Sequence, residues 1–269
     1  MYRKILLPIQ FASEVEPMVH FAADLLDADG EIRVLHVIPS TTLPEVTRQW
    51  RSSINFVIPA HESGAALDVM VESEVRASTD VSGEILESAE THNVDAILMT
   101  IGGDRRSRNP FVGHTATGLL HHAPSDVLII NRLALAASKI PRILVPSFRP
   151  VPPPKVMALA EEIGLRHPGV PVVTLHLGPR GELPPGAASS LDEQTPRGVP
   201  IVRRHALFSE ARFGRRRLAE TILEAAARER FGLLLVGDEG DPRSGTLLTR
   251  RFVEELFRGA PCPVLTLRT

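Results

Sequence analysis

The chain carries a single cysteine, Cys262, among its 269 residues. That excludes an internal disulfide framework and a thiolate zinc cluster. One tryptophan, one tyrosine and ten phenylalanines make up the aromatics, 4% of the residues. This is too few for the stacking platform on which single-stranded nucleic acid lies. Net charge is scarce as well: 30 basic side chains face 32 acidic ones, a formal −2. No basic footprint for a nucleic acid follows from that balance. No apolar run approaches the roughly 20 residues of a membrane-spanning helix. Residues 1–8 hold too short an apolar core for a secretory leader, so a soluble, cytoplasmic protein with no membrane partner is expected.

Signature motifs are missing too. No Gly-x-Gly-x-x-Gly follows an apolar run, and no Gly-x-Ser-x-Gly occurs, so dinucleotide-binding and serine-hydrolase fingerprints are both lacking. Gly240 and Gly245 have phosphate-loop spacing without the lysine that would neutralise the β- and γ-phosphates. What is present is an ordinary globular composition, 43% hydrophobic and 23% charged, at a length that suits about two domains.

The two halves repeat one another. Lys4-Ile5-Leu6-Leu7-Pro8 returns as Arg142-Ile143-Leu144-Val145-Pro146, and Val34-Leu35-His36-Val37 returns as Thr174-Leu175-His176-Leu177. Ala123-Pro124-Ser125-Asp126-Val127-Leu128 returns as Ala260-Pro261-Cys262-Pro263-Val264-Leu265. The first and third matches are offset by 138 and 137 residues, which is a whole domain rather than a solenoid unit. We therefore expect two domains, residues 1–133 and 139–269. The first half carries 10 basic and 18 acidic residues (10 − 18 = −8), the remainder 20 and 14 (20 − 14 = +6). Opposite charge either favours docking of the halves or marks two independently solvated surfaces.

Within each copy, short apolar runs alternate with helical periodicity. Residues 5–9, 32–38, 67–75, 96–101 and 127–130 read as strands of the first copy. Met18, Phe21, Ala22, Leu25 and Leu26 form a helix stripe closed by Asp29-Gly30, and Val81, Ile85, Leu86 and Ala89 form another. In the second copy the strands are 142–145, 172–177, 200–203, 232–236 and 264–267. Helices start at Pro154 and run through 218–227, while the spacing of Phe252, Val253, Leu256 and Phe257 is that of a core stripe. Residues 179–197, rich in Gly, Pro and Ser, read as a loop. Alternating strand and helix gives an α/β fold of two tandem, doubly wound, parallel five-stranded sheets flanked by helices. Ligands of such sheets sit beyond the strand carboxyl ends, where strand order reverses.

These residues resemble the universal stress protein family in its tandem form, over essentially the whole chain. In the first copy the resemblance rests on the 5–9 strand, on Leu35-His36-Val37, and on Met99-Thr100-Ile101-Gly102-Gly103, Val112-Gly113-His114-Thr115 and His122-Ala123-Pro124. In the second it rests on Val236-Gly237-Asp238-Glu239-Gly240, Arg250-Arg251 and Gly259-Ala260-Pro261. Nucleotide-binding members carry Gly, two residues, Gly, nine residues, then Gly and Ser/Thr, with an Asp after the first strand. Such glycines let peptide N–H groups reach phosphate, and the last one opens a helix whose N-terminus favours an anion.

The first copy keeps Gly103, nine residues, and Gly113; Thr100 replaces the first glycine, with Gly102 nearby, His114 stands before Thr115, and Gln10 replaces the Asp. The second copy keeps Gly237 and Gly240 but has Arg250 and Arg251 at the helix entrance and Phe148 for the Asp. The resemblance thus implies a non-enzymatic stress-response regulator with ATP or AMP in the first copy and no cofactor in the second. Ile9, Gln10 and Val37 would flank base and ribose, while Gly102, Gly103, Gly113, His114 and Thr115 would contact phosphate. Arg105, Arg106 and Arg108 either grip phosphate or form a solvated basic loop. The fifth strands would pair the two copies as a pseudo-dimer, or pair two chains. Two alternatives stay open: a ligand-free interaction scaffold and a slow ATP-hydrolysing enzyme.

The remaining constellations read as structural. His114 and His121 share a helix face without a third ligand at helical spacing, so no metal site is expected. His36 and His176 fit hydrogen-bonded core histidines, and Cys262 a packed thiol with no acidifying neighbour.

Overall fold

The computed structural model describes residues 2–39, 53–101, 114–131, 142–147, 152–179, 193–208, 215–237 and 250–268. They fall into two compact units, the first ending at Asn131 and the second beginning at Arg142 among the described residues.

Unit 1 runs β1 (Tyr2–Pro8), α1 (Val15–Ala23), β2 (Leu26–Pro39), α2 (Ile54–Leu67), β3 (Met70–Ser78), α3 (Val81–Thr91), β4 (Ala96–Ile101), α4 (His114–His122) and β5 (Asp126–Asn131). Its strands are all parallel in the order β3-β2-β1-β4-β5. Unit 2 runs β6 (Ile143–Ser147), α5 (Pro154–Arg166), β7 (Val172–Pro179), β8 (Glu193–Gln194), β9 (Pro200–Phe208), α6 (Arg215–Arg228), β10 (Leu233–Gly237), α7 (Arg250–Gly259) and β11 (Val264–Arg268). Its order is β11-β10-β6-β7-β9-β8, parallel except for β8. The α/β class and the parallel sheets flanked by helices are as the alternation implied. β6 and β10 are buried at every position, which requires helices on both faces.

Three local expectations shift, and one helix was not foreseen. Helix α1 stops at Ala23, and Gly30 lies inside β2 rather than after a helix. The Leu25 amide turns back onto the Ala22 carbonyl at 2.9 Å, which swings Leu25 and Leu26 into the core from outside the helix. Helix α2 was invisible to hydrophobic periodicity. Its buried stripe is Ser53, Phe56, Ala60 and Ser63, mostly small or polar side chains, and Pro59 lies within it. The alternation of Leu67, Val69 and Val71 runs from the end of that helix into β3, so the strand expected over 67–75 starts at Met70 and extends to Ser78. Asp68 adopts φ 55° at the helix end, and the Val69 amide caps the Gly64 carbonyl at 2.9 Å, a left-handed helix stop. Finally, residues 179–197 are not loop throughout. β8 pairs antiparallel with β9 across a turn in which Gly198, at φ +87°, supplies the positive dihedral. The Val199 amide donates to the Thr195 hydroxyl at 3.0 Å, and the added strand covers part of the β9 edge.

Between β3 and α3 the interior is ionic. Arg76 reaches Glu74 at 2.6 Å, Glu84 at 3.1 Å and Glu87 at 3.5 Å, and Ser88 donates to Glu74 at 3.3 Å. At the amino ends of the strands, Asp95 accepts the Arg3 and Lys4 amides at 2.7 and 2.9 Å. Tyr2 donates to Asp126 at 3.2 Å, and burial together with that carboxylate pushes the phenol well above its ordinary range.

Candidate functional site

The order β3-β2-β1-β4-β5 reverses direction between β1 and β4. The chain leaves β1 toward β2 and β3, then crosses back to β4 on the other side. In doubly wound sheets the space beyond the carboxyl ends of strands at such a reversal is the crevice at which ligands bind.

From β1 the crevice receives Ile9 and Gln10. Ile9 is buried, its amide donating to the Leu35 carbonyl at 2.9 Å, while Gln10 is exposed. Behind Ile9 stands His36, whose Nδ1 donates to the Ile9 carbonyl at 2.9 Å. The imidazole is stacked on Phe56 of α2, ring centroids 3.9 Å apart at 16°. His36 is thus the hydrogen-bonded histidine expected, and it fixes the carbonyl next to Gln10. Val37, one residue on, is buried in the core.

From β4 the crevice receives Thr100, and the structure brings to it a residue the sequence did not single out. Glu14, in the short 3₁₀ turn Ala12–Glu14 before α1, is only 3% exposed. Its carboxylate accepts the Thr100 hydroxyl at 2.8 Å and the Phe11 amide at 3.1 Å. A side chain at the first cradle-glycine position is therefore tied to a buried acid. Removing that donor leaves a buried carboxylate short of one partner. Thr100→Val is expected to cost about 1–2 kcal/mol, read as a lower urea midpoint at unchanged slope.

Gly102, Gly103 and Gly113 lie outside the described residues, as do Arg105, Arg106 and Arg108. His114 is the first residue of α4 and Thr115, half-buried, the second.

In unit 2, Gly237 occupies the place of Thr100, because Leu233 pairs with Ile143 as Ala96 pairs with Ile5. A Cβ there would fall 2.3 Å from Cγ2 of Val156. Close packing of β10 on α5 thus demands this glycine whether or not a phosphate is near. Phe148 and Gly240 lie outside the described residues, and Arg250 and Arg251 open α7. His176 is buried and meets His205 edge-on, centroids 5.6 Å apart. Burial pushes the Cys262 thiol up to about 11, so it stays protonated and a poor nucleophile near neutrality. Among the described residues no group of three or more His, Cys, Asp or Glu could hold a metal ion, and no helix is long and apolar enough to cross a membrane.

The universal stress protein family model matches residues 1–131. No curated protein matches the sequence. Among solved structures, a universal stress protein from Archaeoglobus fulgidus is 17% identical with a TM-score of 0.70, over 98% of this chain and 97% of that one. The cytoplasmic domain of a prokaryotic cation chloride cotransporter is 10% identical with a TM-score of 0.53, over 99% and 95%. A universal stress protein from Archaeoglobus fulgidus in complex with dAMP is 16% identical with a TM-score of 0.37, over 48% and 97%.

Proposed function

We propose, from the match of residues 1–131 to the universal stress protein family model, that unit 1 is a regulatory domain. It holds an adenine nucleotide beyond the carboxyl ends of β1 and β4 and performs no reaction on it. One observation carries this reading. β4 ends at Ile101 and α4 opens at His114, so Gly102, Gly103 and Gly113 all belong to the one strand-to-helix connection at the reversal point. Backbone amides bared by glycine and the positive end of a helix are what a phosphate group needs. Ile9, Gln10 and Val37 would then border base and ribose, and His114 and Thr115 the phosphates. The two groups best placed to activate a water, Thr100 and Glu14, are bonded to each other, which favours holding over hydrolysis.

Unit 2 is proposed to bind no nucleotide. Arg250 and Arg251 stand at the entrance of α7 where glycine is wanted, and Phe148 stands in place of an acid. Residues 1–133 and 139–269 are taken as the two functional domains, in a cytoplasmic setting.

Glu14 sets the expected preference. A carboxylate beside the phosphate end of a crevice disfavours further negative charge, so AMP should bind at least as well as ATP. Calorimetric and thermal-shift titration of the full chain with ATP, AMP and sulfate tests the proposal. Binding should be lost in Gly113→Arg, which installs the residue that unit 2 carries there. Glu14→Gln should strengthen ATP about three- to tenfold. No response to any nucleotide would instead favour the second reading, an interaction scaffold, for which the Thr100–Glu14 bond inside the crevice is the supporting observation. Magnesium-dependent release of phosphate would overturn the non-enzymatic assignment.

A further inference from the structure

Unit 2 contains a cavity of about 640 Å³ between its sheet and α6, well away in sequence from the nucleotide crevice of unit 1. Its origin is legible by comparing the two units. Ile5, Ile32 and Val71 are in register across unit 1 as Ile143, Val172 and Ile201 are across unit 2. Counting along β3 and β9 from Val71 and Ile201, Glu74 corresponds to Arg204 and Arg76 to Ala206. The helices match too. Ile85 and Ala89 of α3 and Ile222 and Ala226 of α6 are all buried, and each helix is followed by a residue of positive φ, Asn93 at 50° and Arg230 at 54°. Ser88 therefore corresponds to Ala225 and Glu84 to Thr221.

In unit 1 this space is filled by the Arg76 side chain and its carboxylates. In unit 2 the counterparts of the arginine and the serine are Ala206 and Ala225, both of which line the cavity, and loss of the arginine side chain opens part of it. Its floor is Leu144, Val173 and Leu175, and Arg204 and Glu224 stand at its rim. Arg204 is exposed and has no ion-pair partner among the described residues. By contrast, the rim's Arg228 is matched to Glu229 at 3.7 Å, and Glu229 also lies 3.7 Å from Arg142.

We propose that this cavity binds a small monocarboxylate with an apolar body, its carboxylate on the Arg204 guanidinium. The volume lies in the range of small-molecule sites, and an apolar floor of Leu144, Val173 and Leu175 beneath a rim of charged side chains suits a ligand with an apolar body and one charged end. A planar guanidinium pairs with a planar carboxylate through two parallel N–H···O bonds. The Glu224 carboxylate on the same rim disfavours a ligand of several negative charges, which separates this site from a nucleotide site. Transfer of the ligand's apolar chain out of water supplies the remaining affinity.

Sodium octanoate is a suitable probe, titrated into the full chain by calorimetry and by NMR. Saturable one-to-one binding is expected, with shifts at Leu175, Ala206 and Ala225. Arg204→Gln should weaken it about tenfold, octanol should bind more weakly than octanoate, and Ala225→Leu should abolish binding by filling the space. Arg204 is exposed, so Arg204→Gln keeps the test decisive should Ala225→Leu disturb the helix; melting curves report on that. Failure of octanoate to bind, binding unchanged in Arg204→Gln, or displacement of octanoate by ATP would each overturn the proposal. A silent nucleotide titration leaves it untouched, since the two sites are in different units.

Discussion

Phe252→Ala is expected to destabilise unit 2 by about 3–5 kcal/mol, a large share of the 5–15 kcal/mol by which a domain is commonly stable. Phe252 is 1% exposed and is the largest fully buried side chain among the described residues. It begins the stripe Phe252, Val253, Leu256 and Phe257, all buried, by which α7 lies on its unit. Truncation loses the transfer energy of the ring and leaves a cavity that the surrounding Leu and Val side chains fill only in part. Phe252→Leu keeps most of the volume and should cost about 1–2 kcal/mol. That contrast separates a packing effect from loss of the helix itself. Hydrogen exchange resolved by peptide is the measurement, since β10 and β11 should lose protection while β1 and β4 keep theirs. A cost for Phe252→Ala no larger than that for Phe252→Leu would show that α7 is not packed as described.

That stripe belongs to the part of the fold that sequence reasoning reads well. Strands such as β4, β6 and β10 are buried on both faces, so composition alone marks them, and Phe252 and its partners keep helical spacing. Reading fails where burial and hydrophobicity part company. α2 buries Ser63 beside Phe56 and Ala60 and leaves Ile58 47% exposed, so its contact face is not the one its apolar residues alone would mark. β8 is too short for any periodicity and depends on the turn around Gly198. The crevice divides in the same way. Glycine spacing points to the β4–α4 connection from sequence alone. The bond between Glu14 and Thr100 spans 86 positions, and neither residue type at that distance announces the other. Gly237 is a warning in the opposite direction. It sits at a phosphate-motif position, yet packing against Val156 already accounts for it. A glycine pattern shared by two copies can have different causes in each.

Arg76→Ala should cost unit 1 about 2–4 kcal/mol at pH 7, and the cost should depend on pH. The Arg76 side chain is 19% exposed and its guanidinium faces Glu74 and Glu84, whose side chains are 26% and 23% exposed. Without it two half-buried carboxylates confront each other. Burial by itself would raise the Glu74 pKa, but the Arg76 hydrogen bond and charge, the Ser88 hydroxyl and His92 outweigh it, and the carboxyl is held below its ordinary value of 4.5. A native pKa below the unfolded one means that the ionised group stabilises the fold. In the native protein that contribution is complete above about 4.5 and fades as pH falls through the lowered value. In the variant the Arg76 contributions vanish while burial persists, so Glu74 moves the other way and the fold comes to prefer the proton. Acidification then weakens the parent and relieves the variant. The difference between them should be largest near pH 7 and shrink by about half or more at pH 4, measured as urea-unfolding free energies at both values. Arg76→Lys should fall between, because one ammonium cannot reproduce the fork that serves Glu74 and Glu84 together. A cost that stays constant from pH 7 to pH 4 would assign Arg76 a packing role through its aliphatic stem and remove the ionic account of this interior.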